Sequence, residues 1–201
     1  MASRGPTSKR RPDDVGAAML EVACRLLATE GPEALTTRRI AAEAGTTTMT
    51  LYARFGDKDG VEQAVIVEGF TRLKAAMERA AKRSKEPVQG VIAVARAYRR
   101  FALENPAFYA AMFQRTGRAA VPTAEGHRVG SETFGVLAAV VQRSVDAGIV
   151  SDDADVVARR VWAMCHGAVS LELVGMGVAP AASDEYFDGS IRSVMGGHAA
   201  R

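Results

Sequence analysis

The stretch IAAEAGTTTMTLYARFGDKDG, residues 40–60, decides the fold, because it contains two short helical patterns joined by a glycine. Ala41 is a small residue in the middle of the first pattern, where it lets a second helix pack closely. Gly45 supplies the positive φ of a tight turn, and Leu51 then packs the second helix onto the first. This is the spacing of a helix-turn-helix, whose second helix lies in the major groove of DNA. The spacing alone is moderately specific, since many helical hairpins share it. The residues expected on the buried side are Ile40, Ala44 and Leu51.

Three consecutive threonines stand at the start of the second helix of this pair. A buried helix has no need of such a run, whereas the free N–H groups and positive dipole end at a helix start bind phosphate well. We therefore predict that the threonines face DNA and that nearby basic and aromatic side chains reach backbone oxygens. The alternative is ordinary helix capping by Thr47 with solvated neighbours. The residues predicted to contact DNA from this pattern are Thr36, Thr37, Arg38, Thr46, Thr47, Thr48, Tyr52, Arg54 and Lys58.

Composition and charge are those of an ordinary folded protein. The chain has 201 residues, which is long enough to form a buried core. Of these residues 48% are hydrophobic and 24% are charged, as in ordinary folded proteins. The net charge is +3, and its placement is more informative than its size. The first eleven residues include four cations and no acid, so residues 1–12 are predicted to form a basic, disordered arm suited to phosphate or an acidic surface. A solvated tail without a partner is the alternative.

Helical periodicity recurs along the chain and strand signals are weak, so the predicted fold class is all-α. Val15, Met19, Val22 and Leu26 form one apolar stripe of a first helix. Asp57 can cap a long fourth helix, and the tail after Gly196 is expected to fray. The helices predicted after the first are about 37–44, 48–55, 58–83, 88–104, 106–114, 125–147, 153–176 and 184–195.

Several classes of function are disfavoured by what the sequence lacks. Cys24 and Cys165 are far apart and match no metal-site spacing. The N-terminus has no apolar core of a signal peptide, and the most apolar window, 161–182, contains a histidine and a glutamate. We therefore expect a cytoplasmic protein that has no membrane association.

An enzyme is also disfavoured. The sequence shows no paired carboxylates at a plausible site, no nucleophile motif, no phosphate-binding loop and no metal cluster. His127 and His198 are expected in a loop or in the tail. We predict no catalytic residue, no metal and no cofactor.

The run ALTTRRIAAEAGTTTMTLYARFGDKDG resembles the DNA-binding domain of the TetR family of transcriptional repressors, and the resemblance covers about residues 13–60. It implies a three-helix domain with a helix-turn-helix. It also implies DNA contacts from the threonine before the second helix, the start of the third helix, the tyrosine, the residue before the phenylalanine and the following lysine. The matching positions are Thr37, Thr46 to Met49, Tyr52, Arg54 and Lys58.

Two positions depart from the pattern of the family. The family often has Ser-Lys-Gly where this chain has Thr47-Thr48-Met49. The change removes one lysine contact and places a thioether where the backbone usually approaches DNA, and Met49 can instead touch a thymine methyl group. Gly60-Val61 is the second departure, because a non-glycine residue followed by leucine is commoner after the lysine.

The stretches YRRFALENPAFYAAMF (98–113) and VWAMCHGAVSLEL (161–173) resemble the C-terminal domain of a subgroup of the same family, marked by Trp-x3-His-Gly. The resemblance implies that residues 61–201 form a helical regulatory domain. Such a domain dimerises through its last two long helices and holds a ligand pocket in each subunit.

The residues themselves are compatible with a pocket. Aromatic and methionine side chains cluster around Pro106, and such a set can line an apolar cavity, although plain core packing is the alternative for each of them. Gly167 is expected to let another helix approach closely. His166 is expected to make a structural hydrogen bond, and contact with the pocket is the alternative. The candidate ligand-binding residues are Phe70, Tyr98, Phe101, Phe108, Met112, Phe134, Trp162 and His166. The aromatic and methionine members carry no formal charge, which predicts a small apolar or weakly polar effector.

The sequence thus predicts a ligand-responsive regulator, a repressor that binds a palindromic DNA operator as a homodimer. The alternative is a ligand-independent regulator or architectural DNA-binding protein, which would have a filled C-terminal core. The fourth helix is the predicted transmitter, since its start at Lys58 is assigned to DNA and its later turns, near Ile66 and Phe70, to the larger domain.

Overall fold

The computed structural model describes residues 12–114 and 123–198, and every regular element in these ranges is helical. The predicted all-α class is confirmed. The predicted basic arm lies outside the described residues, except for Pro12, where the first helix begins. The elements are α1 (Pro12–Glu30), a short 3-10 helix (Pro32–Ala34), α2 (Thr37–Glu43), α3 (Thr48–Phe55), α4 (Lys58–Arg83), α5 (Pro87–Glu104), α6 (Pro106–Phe113), α7 (Ala124–Asp146), α8 (Ala154–Leu173) and α9 (Pro180–Gly196).

Side-chain caps fix where the helices of the N-terminal region begin. Thr36 Oγ1 accepts a hydrogen bond from the Arg39 amide at 3.3 Å, and Thr47 Oγ1 accepts one from the Thr50 amide at 3.2 Å. Asp57 caps α4 by accepting from the Gly60 amide at 2.8 Å. Each cap satisfies an amide that has no partner within its own helix.

The chain divides into two compact units, and the division falls within α4 between Val65 and Ile66. The described part of the first unit, residues 12–65, contains α1 to α3 and the first turns of α4. Its core is formed by the apolar stripe of α1 and the inner faces of α2 and α3. The predicted buried residues Ile40, Ala44 and Leu51 are 1%, 7% and 0% exposed.

The second unit, over residues 66–114 and 123–198, is built around α5, which packs against α6, α7, α8 and α9. The α6 side chains Phe108, Tyr109 and Met112 are almost completely buried. A side chain at Gly69 of α4 would come within 2.7 Å of Met112 Sδ and 3.0 Å of Phe108. Because glycine has no Cβ, α4 and α6 can approach each other here.

Two local expectations prove wrong. His127 is an exposed residue of α7 rather than of a loop. The tail remains ordered as far as His198, which is 9% exposed: its carbonyl oxygen accepts from the Ser151 amide at 2.9 Å, and its ring contacts Asp152 and Arg160. The expected close approach of another helix at Gly167 stays a prediction, since a Cβ there would have no heavy atom of the described chain within 4 Å.

No helix among the described residues is both long and apolar enough to cross a membrane. The same residues contain no cluster of three or more histidine, cysteine or acidic side chains that could hold a metal ion. Cys24 and Cys165 are both buried.

Candidate DNA interface and effector cavity

The helix-turn-helix of the first unit exposes one face of α3. Gly45, with φ 66°, makes the turn after α2, as predicted, and Ala41 is 2% exposed beneath α3. On the outer side, Met49 is 80% and Tyr52 is 49% exposed. An apolar thioether this exposed, at the start of a helix, is available to a partner such as a thymine methyl group.

The threonines divide into caps and free hydroxyls. Thr36 and Thr47 are N-caps, and Thr47 Oγ1 also lies 3.0 Å from Thr50 Oγ1, so the capping alternative describes these two hydroxyls. The Thr46 amide donates to the Ala41 carbonyl at 2.9 Å. The hydroxyls of Thr46 and Thr48 make no hydrogen bond within the described part of the chain, and Thr48 is exposed.

Tyr52 and Thr37 connect the two helices of the motif. The Tyr52 hydroxyl lies 3.4 Å from Thr37 Oγ1, which joins the outer face of α3 to the first residue of α2. Tyr52 is half exposed even so. The two predicted DNA contacts therefore form one continuous polar surface.

The basic side chains of this surface differ in whether an acidic side chain already pairs with them. Arg38 is exposed and forms no ion pair with a described residue, whereas its neighbour Arg39 is held by Glu30 at 2.6 Å and Glu43 at 2.7 Å. These hydrogen bonds raise the pKa of Arg39, and the bond to Arg39 lowers the pKa of Glu30. Lys58 is half exposed and lies 3.4 Å from Glu62 on the next turn.

Arg54 folds back onto its own unit. Its guanidinium lies 5.6 Å from the centre of the Phe55 ring, and a Cβ at Gly16 of α1 would be 2.8 Å from its Nε. Arg54 is nevertheless exposed to solvent.

An apolar cavity lies inside the second unit, between α4, α5, α7 and α8. Four of the eight predicted ligand-binding residues line it: Phe70, Tyr98, Phe134 and Trp162. Trp162 packs on Phe134 with ring centres 5.0 Å apart. The other lining residues are Leu73, Met77, Val94, Ala95, Phe113, Gly130, Thr133, Leu137 and Cys165.

The remaining predicted ligand-binding residues lie elsewhere. Phe108 and Met112 pack in the core beside Gly69, and Phe101 lines a separate surface groove between α4 and α5. His166 is not among the lining residues, but its ring packs against three that are: Phe113 at 4.6 Å, Tyr98 at 5.2 Å and Trp162 at 5.2 Å between ring centres.

The cavity is small in this conformation. Its volume is about 20 Å³, which is room for roughly one water molecule, since about 10–15 Å³ holds one. A drug-sized ligand would therefore have to displace side chains in order to enter.

A small polar cluster adjoins this cavity. The Tyr98 hydroxyl lies 2.7 Å from His166 Nδ1, and the Tyr109 hydroxyl lies 3.1 Å from the same nitrogen and 3.2 Å from Ser170 Oγ. His166 thus makes the structural hydrogen bonds expected of it. Burial lowers the pKa of His166 to about 4. Burial also raises the pKa of the neighbouring Cys165 thiol to about 12. The pKa of Tyr98 is raised by burial and by a hydrogen bond with the Tyr109 side chain.

Comparison with known proteins identifies both units. Residues 19–65 match the model of bacterial regulatory proteins of the tetR family, and residues 91–194 match the tetracyclin repressor-like C-terminal domain. No curated protein matches the chain.

Three solved structures illustrate the similarity. A protein of unknown function from Rhodococcus sp. RHA1 has 26% sequence identity and a TM-score of 0.82, over 98% of this chain and 100% of that one. A TetR family transcription regulator from Marinobacter aquaeolei VT8 has 22% identity and a TM-score of 0.70, over 96% and 100% of the two chains. RolR in complex with resorcinol has 17% identity and a TM-score of 0.67, over 94% and 90%.

The C-terminal model alone covers more than half of the chain, and the N-terminal model covers the helix-turn-helix with its exposed α3. Regulators of this kind are DNA-binding proteins without enzymatic activity. The chain therefore belongs to the TetR family of transcriptional regulators.

Proposed function

We propose that the protein is a bacterial, cytoplasmic, ligand-responsive repressor that binds a palindromic operator as a homodimer and is released by a small effector. We also assign it to the subgroup with a Trp-x3-His-Gly regulatory domain, on the basis of Trp162, His166 and Gly167. The observation that carries the proposal is the aromatic cavity inside the second unit of a chain whose first unit is a helix-turn-helix. A ligand-independent or architectural protein would keep this core filled, so ligand binding in the cavity is what separates the two functions.

The exposed face of α3 supports the DNA-binding part of this proposal. Thr48 and Met49 are assigned to base edges, because both are exposed at the start of α3. Tyr52, Lys58, Thr37 and Arg38 are assigned to phosphates, which position a protein without reading sequence. The remaining proposed contacts are Thr36, Thr46, Thr47 and Arg54.

Small and apolar exposed residues on α8 and α9 support the dimer. Along α8, Ala163, Gly167 and Leu171 are exposed at four-residue spacing, with Leu171 48% exposed. Along α9, Tyr186 and Gly189 are on or beside the outer face, and a Cβ at Gly189 would meet nothing within 4 Å. Two such faces can pack as a symmetric bundle, since small residues allow close approach of helices.

A substitution on α8 tests the dimer. We expect Gly167→Arg to shift the protein to the monomer in light scattering, because the side chain would lie in the proposed interface. The matched control is Gly135→Arg on α7, also an exposed helical glycine with no neighbour within 4 Å. If both variants remain dimeric, α8 is not the interface.

The lining residues favour an apolar or weakly polar effector, since none of them carries a formal charge. RolR, which is similar in fold, was solved with resorcinol, a small aromatic molecule. The aromatic walls of this cavity suit a ligand of that general kind.

Operator selection tests the proposal as a whole. Duplexes selected from a random pool by the purified protein should contain two inverted half-sites, because a two-fold dimer reads DNA with matching symmetry. Genomic footprinting would then locate the natural operators. Selected sites without dyad symmetry would rule out the dimeric repressor.

A further inference from the structure

A basic groove lies between α4 and α5, on faces of these helices other than those that line the aromatic cavity. Its volume is about 690 Å³, which is within the usual range for small-molecule sites, roughly 300–1,000 Å³. Five arginines line the groove, and its one acidic residue is Glu104. The arginines, all of them exposed, are Arg72, Arg79, Arg83, Arg96 and Arg100.

Three of these arginines have no acidic partner. Arg79, Arg83 and Arg100 form no ion pair with any residue that the structure describes. The residues three and four positions from Arg79 are alanines, a lysine and Arg83, so α4 offers Arg79 no acid. Arg128 and Arg159, exposed on α7 and α8, show the contrast, since each pairs with a carboxylate of its own helix. The groove therefore holds positive charge in excess of its acids.

The other two arginines are held by acids that do not line the groove. Arg72 pairs with Glu68 at 2.8 Å, and Arg96 pairs with Asp188 at 2.6 Å. Asp188 accepts hydrogen bonds from Nε and one terminal nitrogen of Arg96. A guanidinium has five N–H donors, so Arg96 is fixed in position while its second terminal nitrogen remains a donor.

The length of the groove indicates the size of an occupant. The α4 arginines extend from Arg72 to Arg83, about 16 Å of helix at about 1.5 Å per residue. The lining also includes Ser84, between the two helices, and Asn105, just after α5. A single phosphate ion cannot meet cations spread over this distance, whereas a molecule of nucleotide size can. Between the arginines the lining is apolar, with Ala76, Ala80, Ile92, Ala93, Ala97 and Phe101.

We propose that this groove is a second ligand site, which binds a nucleotide-sized organic molecule that carries two or more phosphoryl groups. A cleft lined by one sign of charge concentrates counter-ions, and a guanidinium donates paired hydrogen bonds to a phosphoryl group. The apolar lining between the arginines takes the uncharged part of the ligand. This inference goes beyond the proposed function, because binding here requires neither the effector nor DNA.

The test measures binding of tripolyphosphate and of ATP to the full-length protein by calorimetry, without divalent cations and at physiological ionic strength. Both probes should bind, whereas adenosine, which lacks the charges, should not bind measurably. The double variant Arg79→Gln with Arg83→Gln should weaken both phosphate probes about tenfold or more, the usual effect of losing hydrogen bonds to a charged group.

The matched control is the double variant Lys82→Gln with Lys85→Gln. It also removes two positive charges near the end of α4, but these side chains line a different groove, between α4 and α7. Because exposed charges at a distance are screened by salt, the control should change the affinity less than about twofold. Other basic surfaces also attract phosphate, so the comparison of the two double variants locates the site.

Two further measurements keep the result independent of how well one variant folds. Arg79→Lys with Arg83→Lys keeps the charge but not the planar fork, and it should recover part of the affinity. In the wild-type protein, the Nε–H resonances of Arg79, Arg83 and Arg100 should move on addition of tripolyphosphate.

Four results would overturn the site. The first is no binding of either phosphate probe, and the second is an equal loss of affinity in the glutamine variant of the arginines and in the lysine control. If a hexaglutamate peptide binds in the groove more tightly than tripolyphosphate, the occupant is an acidic protein segment. If Arg79→Gln with Arg83→Gln lowers the salt slope of DNA binding, the groove is a nucleic-acid contact instead.

Discussion

Gly60 lies in the first turn of α4, where no side chain fits. A Cβ at this position would overlap the Phe55 carbonyl oxygen, and the Gly60 amide donates to the Asp57 cap. The departure Gly60-Val61 from the pattern of the family therefore has a steric explanation. Backbone cannot move aside as easily as the end of a side chain.

Gly60→Ala should accordingly destabilise the first unit by about 1–3 kcal/mol, the usual cost of inserting a methyl group into a filled space. The matched control is Gly135→Ala, at a helical glycine with no neighbour within 4 Å, which should be neutral or stabilising by about 0.5–1 kcal/mol. Urea unfolding monitored by circular dichroism compares the two. Equal free energies of unfolding would contradict the steric argument.

Lys58 and Glu62 offer a second prediction at the level of single residues. Their charged atoms lie 3.4 Å apart on the surface, so Glu62 competes with DNA phosphate for Lys58. Lys58→Ala should weaken binding to all sequences about equally and lower the salt slope by about one. Glu62→Gln should strengthen binding to all sequences, because it removes the carboxylate that competes with phosphate for Lys58. A change of base preference in either variant would contradict the phosphate assignment.

Tyr52→Ala and Met49→Gly test which residues of α3 contact phosphates and which contact bases. Tyr52 is assigned to phosphate, so its loss should weaken all duplexes similarly. Met49 is assigned to base edges, so its loss should change the preference at particular base pairs, with about 1–3 kcal/mol of discrimination for a good contact. Selection from random duplexes with each variant measures both effects. A uniform loss with Met49→Gly would remove it from the base contacts.

The titration of His166 predicts how stability depends on pH. Its pKa is lowered from 6.5 to about 4 in the folded protein. Between these values the unfolded chain binds a proton that the folded chain does not, so stability falls as pH falls from about 6.5 to about 4 and is unaffected above that window. Each unit of difference corresponds to about 1.4 kcal/mol. His166→Gln should flatten the profile in urea titrations, and an unchanged slope would mean that other groups cause it.

At the scale of elements, α5, α8 and α9 are tied together by one arginine. Arg99 of α5 reaches Glu172 of α8 at 2.8 Å and Asp184 of α9 at 2.5 Å, and its guanidinium lies 5.3 Å from the centre of the Phe187 ring. The side chains of Arg99 and Glu172 are only 12% and 16% exposed. The hydrogen bond with Glu172 is the main reason that the pKa of Arg99 is raised.

Removing one partner of such a pair leaves a poorly hydrated charge behind. Glu172→Leu should cost about 1–3 kcal/mol, less than a fully unpaired charge would, because Arg99 keeps its contact with Asp184, and the double variant Arg99→Met with Glu172→Leu should recover much of the loss. Lys74→Ala is the control, because its pair with Glu132 is 30% and 39% exposed and should contribute little to stability. Thermal unfolding ranks the three. A double variant as unstable as Glu172→Leu would show that packing, not charge, matters here.

Local signals predicted the elements better than they predicted the cavity. Helices α3 and α4 begin and end at the predicted residues. Their starts are predictable because Thr47 and Asp57 are N-cap residues that can be recognised in the sequence. Phe108 and Phe113 look alike as aromatic residues near Pro106, yet one is core and the other lines the cavity. That difference depends on how α4 and α6 pack at Gly69, and helical periodicity in the sequence does not predict such packing.

At the scale of the whole molecule, one helix belongs to both units. α4 begins at Lys58 in the first unit, crosses the division after Val65 and continues to Arg83 in the second. Phe70 lies on its second part, lines the cavity and packs edge-to-face on Phe113 with ring centres 5.4 Å apart. We predict that a ligand that moves Phe70 displaces α4, the helix whose first residue is assigned to DNA.

The effector response can be predicted from this arrangement and from the small volume of the cavity. A ligand shifts the equilibrium only if it binds one conformation better than the other, and here it must displace side chains to enter. Trp162 stacks on Phe134 in the cavity wall, so its emission should change over the same effector concentrations that lower operator affinity. Phe70→Ala should weaken this coupling more than it weakens DNA binding without ligand, whereas Phe101→Ala, on the separate groove, should leave the coupling intact. An effector that releases DNA while Trp162 emission stays constant and Phe70→Ala responds normally would refute the cavity and the α4 route together, and would leave the helix-turn-helix assignment untouched.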